Sequence, residues 1–220
     1  MRSEPTFPKP LLAPLGDAAL LIRYAGSLND AANRAAIAAA RHLQSEEPRG
    51  ALEIVPGLVS VLVRYDPRVT DFITLSGEVR LALDRSNDAI AAQARSRRLP
   101  IFFDGEDLPE IASLLGLTVP AFIERHNTSP LRVLATGFAP GFVYCGLHGE
   151  DLNVPRRREV RAVVPAGTVL FAARQTAIAA TPIRTGWNVV GKTPFRNFDA
   201  ATDPPTVLRP GDEISFEVAR

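Results

Sequence analysis

Apolar residues fall along this chain in short runs of two kinds. Leu20-Leu21-Ile22, Ala51 to Val55 and Leu58 to Tyr65 are brief, mostly β-branched or aromatic, and bounded by turn residues, which predicts strands. Pro56-Gly57 separates the last two and Asp66-Pro67 ends the second. Between the first and second runs, Ala31 to Leu43 is rich in alanine, the best helix former, with Ile37 and Leu43 for a core. Asn29 or Asp30 supplies its N-cap, and Glu46 to Gly50, with Pro48, breaks it. Thr70 to Leu83 predicts a weaker helix, apolar at Phe72, Ile73, Val79 and Leu83, with Gly77 as its weak point. Met1 to Pro10 reads as a loose arm. Strand, helix, strand pair, helix describes an α+β N-terminal domain with its helices on one face of an antiparallel sheet.

Asp84 to Arg98 is polar, ends in Arg95-Ser96-Arg97-Arg98, and reads as a solvated linker; a nucleic-acid patch needs more basic residues and interleaved aromatics. The boundary is placed here, giving domains at 1–94 and 95–220. Leu99 to Phe103 predicts a strand. Two helices follow, Asp107 capping Leu108–Leu115 before Gly116, and Thr118 capping Val119–His126; each has a proline in its first turn, where a missing N–H costs little. Beyond residue 126 the pattern changes to short strands: Leu131–Thr136, Val163–Val164, Val169–Ala172, Ala177–Ala180, Trp187–Val190 and Ile214–Val218. Many short strands with no long helix predict a mainly-β barrel or closed sandwich.

The stretch from Gly137 to Trp187 mixes glycine and proline with aromatic and β-branched residues, so it predicts ordered loops on a β scaffold. Those loops carry the side chains best suited to a ligand. Arg156 and Arg157 follow Pro155, and are either surface residues or guanidinium forks for a carboxylate or phosphate. Gln175 is placed to pair with an amide, since a buried unpaired glutamine is costly. Trp187 plugs the barrel or lines the site; Pro140, Gly141 and Phe142 shape it. His42 reads as a surface residue. His126 ends a helix, where the dipole favours a cation, or else lines the site. His148 is either exposed or a general base. Cys145 reads as a small buried apolar residue.

Composition narrows the function classes. The chain has 220 residues, 46% of them hydrophobic, and a formal net charge of +1, so it is globular with no global bias toward nucleic acid. One cysteine allows no intrachain disulfide, which fits a reducing compartment. Met1 to Pro10 lacks the apolar core of a signal peptide, and no run approaches the roughly 20 apolar residues of a membrane span. A cytoplasmic protein is expected. The three histidines have no ligand-pair spacing, so no metal site is predicted. Phosphate-loop, dinucleotide and Gly-x-Ser-x-Gly patterns are missing from the sequence.

Taken together, Gly137-Phe-Ala-Pro-Gly-Phe-Val-Tyr144, Pro155-Arg-Arg157, Val164-Pro-Ala-Gly167, Gln175-Thr176, Gly186-Trp187 and Gly191-Lys-Thr-Pro194 resemble the B-subunit family of 5-oxoprolinases, also called the KipI or allophanate hydrolase subunit 1 family. Gly16-Asp17-x-Ala19, Val55-Pro56, Tyr65-Asp66-Pro67, His126 and Pro210-Gly211-Asp212 extend the match over nearly the whole chain. The resemblance implies a cyclophilin-like β-barrel in the second domain. It also implies a partner of the C-subunit (KipA) type, a further protein of the A-subunit type, and ATP-dependent opening of 5-oxo-L-proline to L-glutamate by the complex. A bacterial member instead inhibits a sensor histidine kinase, and related domains handle urea-like amides. On the leading reading, Arg156, Arg157 and Arg161 hold anionic groups of a small-molecule substrate. Gln175, His126 and the backbone around Gly137–Gly141 orient the amide. Phe138, Pro140 and Trp187 complete the substrate-binding set, and Lys192 steadies a phosphate. After Gln175-Thr176, Ala177-Ile-Ala-Ala180 and Ile183-Arg-Thr-Gly-Trp187 lack the family's tyrosine, both its prolines and one glycine, which puts the identity of the substrate in question.

Overall fold

The structure, a computed structural model, describes residues 9–85 and 94–219. The loose arm expected at the N-terminus and the middle of the expected linker lie largely outside the described residues. The chain divides into two compact units, Met1–Gln93 and Ala94–Arg220.

In the first unit the elements are β1 (Leu11–Pro14), β2 (Ala19–Arg23), α1 (Asp30–Glu46), β3 (Ala51–Pro56), β4 (Ser60–Tyr65) and α2 (Phe72–Arg85). The strands pair antiparallel in the order β1-β2-β4-β3. Asn29 caps α1 by accepting the Ala32 N–H at 2.8 Å. Ala36, Ala40 and Leu43 then pack with Leu20, Ile22, Val61, Val63, Leu75 and Val79 in one core. Burial of these side chains holds the helices in place. His42 is not simply a surface residue: it is half-buried and its Nε2 meets the Ala82 carbonyl at 3.0 Å, tying α1 to α2.

The second unit contains β5 (Ser96–Ile101), α3 (Leu108–Leu114), α4 (Val119–His126), β6 (Leu131–Thr136), β7 (Val143–Gly146), β8 (Arg161–Val164), β9 (Thr168–Ala172), β10 (Gln175–Ile178), β11 (Ile183–Thr185), β12 (Asn188–Lys192) and β13 (Glu213–Val218). Part of the expected linker is therefore strand: Ser96 to Arg98 pair in parallel with β13, and Arg95 is bound to the buried carboxylate of Asp212 at 2.6 Å. The seven-stranded mixed sheet runs β12-β9-β10-β7-β6-β13-β5. It curls until its two edges touch at one antiparallel bridge, where Phe102 and Lys192 exchange backbone bonds of 2.9 Å. Leu99, Ile101, Val133, Cys145, Phe171, Val190 and Ile214 point to the enclosed face. Phe142, Leu170, Ala177 and Trp187 point to the outer face, under the two-stranded β8–β11 sheet.

A two-residue turn, Ala173-Arg174, joins β9 to β10 with φ of 48° and 63°. Such turns need positive φ at both central residues, which favours asparagine and glycine. Arg174 is held there by its Nε donating to the His148 carbonyl at 2.9 Å and by an ion pair with Glu150. Ala173 is exposed, and its backbone N–H donates to the Val154 carbonyl at 2.7 Å. Left-handed backbone costs a residue with a Cβ about 1–2 kcal/mol, and asparagine much less. Ala173→Asn is therefore expected to raise the thermal midpoint by about 2–4 °C. A lowered midpoint would show that the turn is not under this strain.

Candidate functional site

Four of the loop segments singled out in the sequence meet on the outer face of the sheet. The 137–142 loop turns back on itself, with the Gly137 N–H donating to the Phe142 carbonyl and the Phe142 N–H to Ala139. Gly141 cannot carry a side chain, because a Cβ there would lie 2.5 Å from Cβ of Phe198. Asn197 Nδ2 donates to the Gly141 carbonyl at 2.8 Å and fixes the loop. The loop presents Phe138, 75% exposed, against Phe142 at a ring distance of 5.6 Å. Contacts continue from Phe142 to Tyr144 at 4.8 Å and from Tyr144 to Trp187 at 5.9 Å. Arg156 closes the series, its Cζ 5.4 Å from the Trp187 ring, a cation–π arrangement. Pro140 is exposed at the loop tip.

Gln175 lies on the same face as Tyr144, because Gln175 and Ala177, two apart along β10, share a face and Ala177 opposes Tyr144. It is buried between Gly146 and Ala172, and its Oε1 has no partner among the described residues. A buried carbonyl left unpaired costs about 1–3 kcal/mol, so this oxygen is a ready acceptor for an N–H. Burial raises the Tyr144 phenol above its ordinary value, against the smaller opposing effect of the Arg156 charge, so it stays a hydrogen-bond donor.

The three arginines assigned to anions are not equivalent. Asp107 takes two of them. Its Oδ1 accepts from Arg157 Nη1 at 2.5 Å and Arg161 Nη2 at 2.9 Å, and its Oδ2 from Arg161 Nη1 at 2.7 Å and the Val189 N–H at 2.6 Å. Arg161 also meets Glu106 at 2.9 Å. This overturns the cap expected at Asp107: it precedes α3 with helical backbone angles, and its side chain makes no cap hydrogen bond. The arginines lie 50 and 54 residues on, beyond the reach of a local motif. Thr118 does cap α4, accepting the Ala121 N–H at 3.3 Å. Arg156 is left as the arginine of the three with no ion pair among the described residues.

His126 is on the enclosed face, not with Gln175. It is buried, with Nε2 2.7 Å from Thr176 Oγ1, and His148 Nε2 is 2.8 Å from the same oxygen. The cation expected at the end of α4 is not formed: burial pushes His126 down to about 4, the hydrogen bond to Asn127 opposing only in part. Burial, then the charges of His126 and Arg174, push His148 down to about 3. Thr176 and the partner of His126 on Asn127 Oδ1, at 2.7 Å, set the tautomers: His126 donates from Nδ1 and accepts at Nε2, and His148 donates from Nε2. Sequence reasoning missed Thr176, which alternates with Gln175 and so faces inward. Burial holds the Cys145 thiol up as an inert core group. Lys192 sits apart at the sheet edge, 2.5 Å from Asp104. No group of three or more His, Cys, Asp or Glu placed for a metal occurs among the described residues, and no helix there is long and apolar enough to cross a membrane.

Residues 10–208 match the family model of the carboxyltransferase domain, subdomains C and D. The chain is 31% identical over 215 residues to the 5-oxoprolinase B subunit of Bacillus subtilis (strain 168), covering 92% of this chain and 90% of that protein. The crystal structure of TTHA0988 is 34% identical with a TM-score of 0.80, covering 93% of this chain; this chain spans only 40% of that one. The Kluyveromyces lactis urea amidolyase, at 15% identity and a TM-score of 0.77 over 99% of this chain and 15% of its own, shares the fold alone.

Proposed function

Because this chain belongs to the family of carboxyltransferase C and D subdomains and 5-oxoprolinase B subunits, we propose that it is one subunit of an ATP-dependent 5-oxoprolinase-type hydrolase. It acts in the cytoplasm with a partner of the C-subunit (KipA) type, and with a protein of the A-subunit type, to open 5-oxo-L-proline to L-glutamate. On this reading the second domain, 95–220, is a cyclophilin-like barrel beside an α+β domain at 1–94, and the outer face of the barrel's sheet is its half of the substrate site.

One observation carries this reading: an unpaired arginine on an aromatic wall shares a face with an unpaired amide oxygen. A 5-oxoproline molecule bears a carboxylate and a lactam N–H: exposed Arg156 can pair with the first, and Gln175, whose Oε1 is covered, with the second once its side chain turns outward. Arg157 and Arg161 act one step back. With Asp107 they fix the segment that carries Arg156, and Arg157 adds a backbone bond of 2.7 Å from its N–H to the Gly186 carbonyl beside Trp187. Phe138 and Pro140 form the exposed rim that meets the partner. ATP is bound by the assembled complex.

Turnover of the chain co-purified with its KipA-type homologue, with a homologue of the A-subunit type added, tests this reading. ATP hydrolysis is expected to rise with 5-oxo-L-proline. Arg156→Ala is expected to lower kcat/KM by about 10- to 100-fold, the worth of a hydrogen-bonded charge. Arg156→Lys keeps the charge but loses the fork and the stacking, and should recover only part. Ala179 and Ala180 stand buried where the family has a tyrosine and a proline, and this altered segment leaves a different amide, of the urea type, as a second reading. Stimulation by urea, insensitive to Arg156→Ala, would establish that alternative over the first.

A further inference from the structure

The curled sheet is closed at one end only. β5 and β12 meet at the Phe102–Lys192 bridge, where β12 ends, and beyond it no backbone bond joins residues 193–196 to β5 among the described residues. The rest of β5 has a partner on one side alone. The Ile101 carbonyl accepts from Ala219 and the Arg95 carbonyl from Glu213, so the odd-numbered residues of β5 direct their backbone groups to β13. The N–H and carbonyl of Ser96 and Arg98, and the carbonyl of Pro100, therefore point into the seam, and they have no backbone partner across it among the described residues. Pro100 occupies a position whose N–H would have been free, as prolines in edge strands do. It limits a ladder to Ser96 and Arg98.

The seam is an open groove with a wall on each side. A groove of about 490 Å³ runs along Ser96 to Pro100, with Pro194 and Phe195 as its opposite wall. A strand residue occupies about 160 Å³ at ordinary rise, strand spacing and sheet separation, so the groove holds roughly three residues of extended chain. Arg98 lies along it, 80% exposed, with a 3.5 Å contact to Glu217 as its ion pair. Arg97 is exposed and has no ion pair among the described residues. Plain edge protection accounts for the charges and the proline, but not for a walled groove beside free backbone donors and acceptors.

We propose that this seam binds an extended acidic segment of a partner protein by strand addition, antiparallel to β5. The added strand continues the line that β12 abandons at Lys192. Its backbone pairs with Ser96 and Arg98, and carboxylates on successive residues, one to each face of the added strand, meet Arg98 and Arg97. Backbone bonds supply affinity in this mode and the arginines supply the choice of sequence. The seam shares no residue with the outer-face site, so the two proposals stand or fall separately.

The probe is a short fluorescein-labelled peptide with two successive glutamates between valines, titrated into the full chain at low salt. A saturable rise in anisotropy is expected, with slowed amide exchange at Ser96 and Arg98 and no change at Leu99. Arg97→Glu with Arg98→Glu should weaken binding at least about tenfold, since two favourable charge contacts become unfavourable, and should favour a lysine–valine peptide instead. Both substitutions are at exposed positions, so the fold is expected to persist. No saturable binding, or binding that ignores charge reversal or leaves Ser96 and Arg98 exchanging freely, would overturn the proposal. So would amides already protected without peptide: concentration-independent protection would mean the chain covers its own seam, and concentration-dependent protection would mean a second copy does.

Discussion

Asp107→Ala is expected to destabilise the second unit by about 3 kcal/mol, the low end of the cost of breaking a buried ion pair. Asp107 is nearly fully buried, whereas the side chains of Arg157 and Arg161 keep 28% and 20% of their exposure, so water recovers part of the loss. Three partners are stranded at once, the two guanidinium groups and the Val189 N–H. Asp107→Asn keeps an acceptor for Val189 but not the charge, and should fall between wild type and alanine. Trp187, the single tryptophan, lies in this unit and reports its unfolding in urea by fluorescence. Burial on its own would raise the Asp107 carboxyl. The hydrogen bond from Arg161, the Val189 N–H and the charges of Arg161 and Arg157 outweigh it and hold the group below the usual carboxylate range. Its contribution is therefore complete above about pH 4, the unfolded value, and is lost as pH falls further. An alanine variant with the wild-type urea midpoint would mean that Asp107 is not the anchor of the arginine segment.

A second large effect is expected at milder acidity. His126 and His148 are held neutral in the folded chain at values of about 4 and about 3, while unfolded imidazoles titrate near 6.5. Below pH 6.5 the unfolded chain binds protons that the folded chain refuses, so stability falls as pH falls. The loss continues until the pH approaches the folded values. Each imidazole contributes up to about 1.4 kcal/mol per pH unit in that window, and about half that near pH 6.5, so roughly 3 kcal/mol is expected to disappear between pH 6.5 and 5. The groups around the pair give a proton no welcome: Phe103, Phe122, Phe171 and Phe216 pack on His126, and Arg174 donates to the His148 carbonyl. The nearby carboxylates of Glu150 and Asp151 are already paired with Arg174 and Arg125. His148→Gln keeps a donor for Thr176 and removes one titration, so its urea midpoint should fall about half as steeply with pH. Equal slopes in the two proteins would place the acid sensitivity elsewhere.

Local chemistry was well written into the sequence. Asn29 and Thr118 act as caps within three residues of their partners, and the alanine stripe of α1 is buried as its period requires. Short-range signals failed where a distant partner prevailed. Asp107 has the spacing of a cap before Pro109, yet two arginines and a backbone N–H from β12 outcompete the helix end. His126 sits where a helix dipole favours charge, but Phe171 and Thr176, from another part of the chain, enclose it. Strands β1, β7 and β11 are four, four and three residues long, too short for periodicity to separate from turns. Arg95 to Arg98 read as linker because strand pairing between β5 and β13, more than a hundred residues apart, leaves no local trace. At the candidate site the loop residues were legible as glycine, proline and aromatic punctuation. Which arginine stays free was not, because that depends on where one carboxylate folds.

The parallel pairing of β5 with β13 has a consequence for synthesis. β13 lies between β5 and β6 in the sheet, so the strand made first in this unit waits for the one made last. While the nascent chain carries β6 to β12, β5 has no lateral neighbour along most of its length, and Asp212 has yet to emerge for Arg95. The sheet of this unit is thus completed only after residue 218 leaves the ribosome, whereas the first unit pairs its strands within 65 residues. Contacts of such long range are slow to form. The newly made chain therefore spends that interval with a bare, arginine-bearing strand.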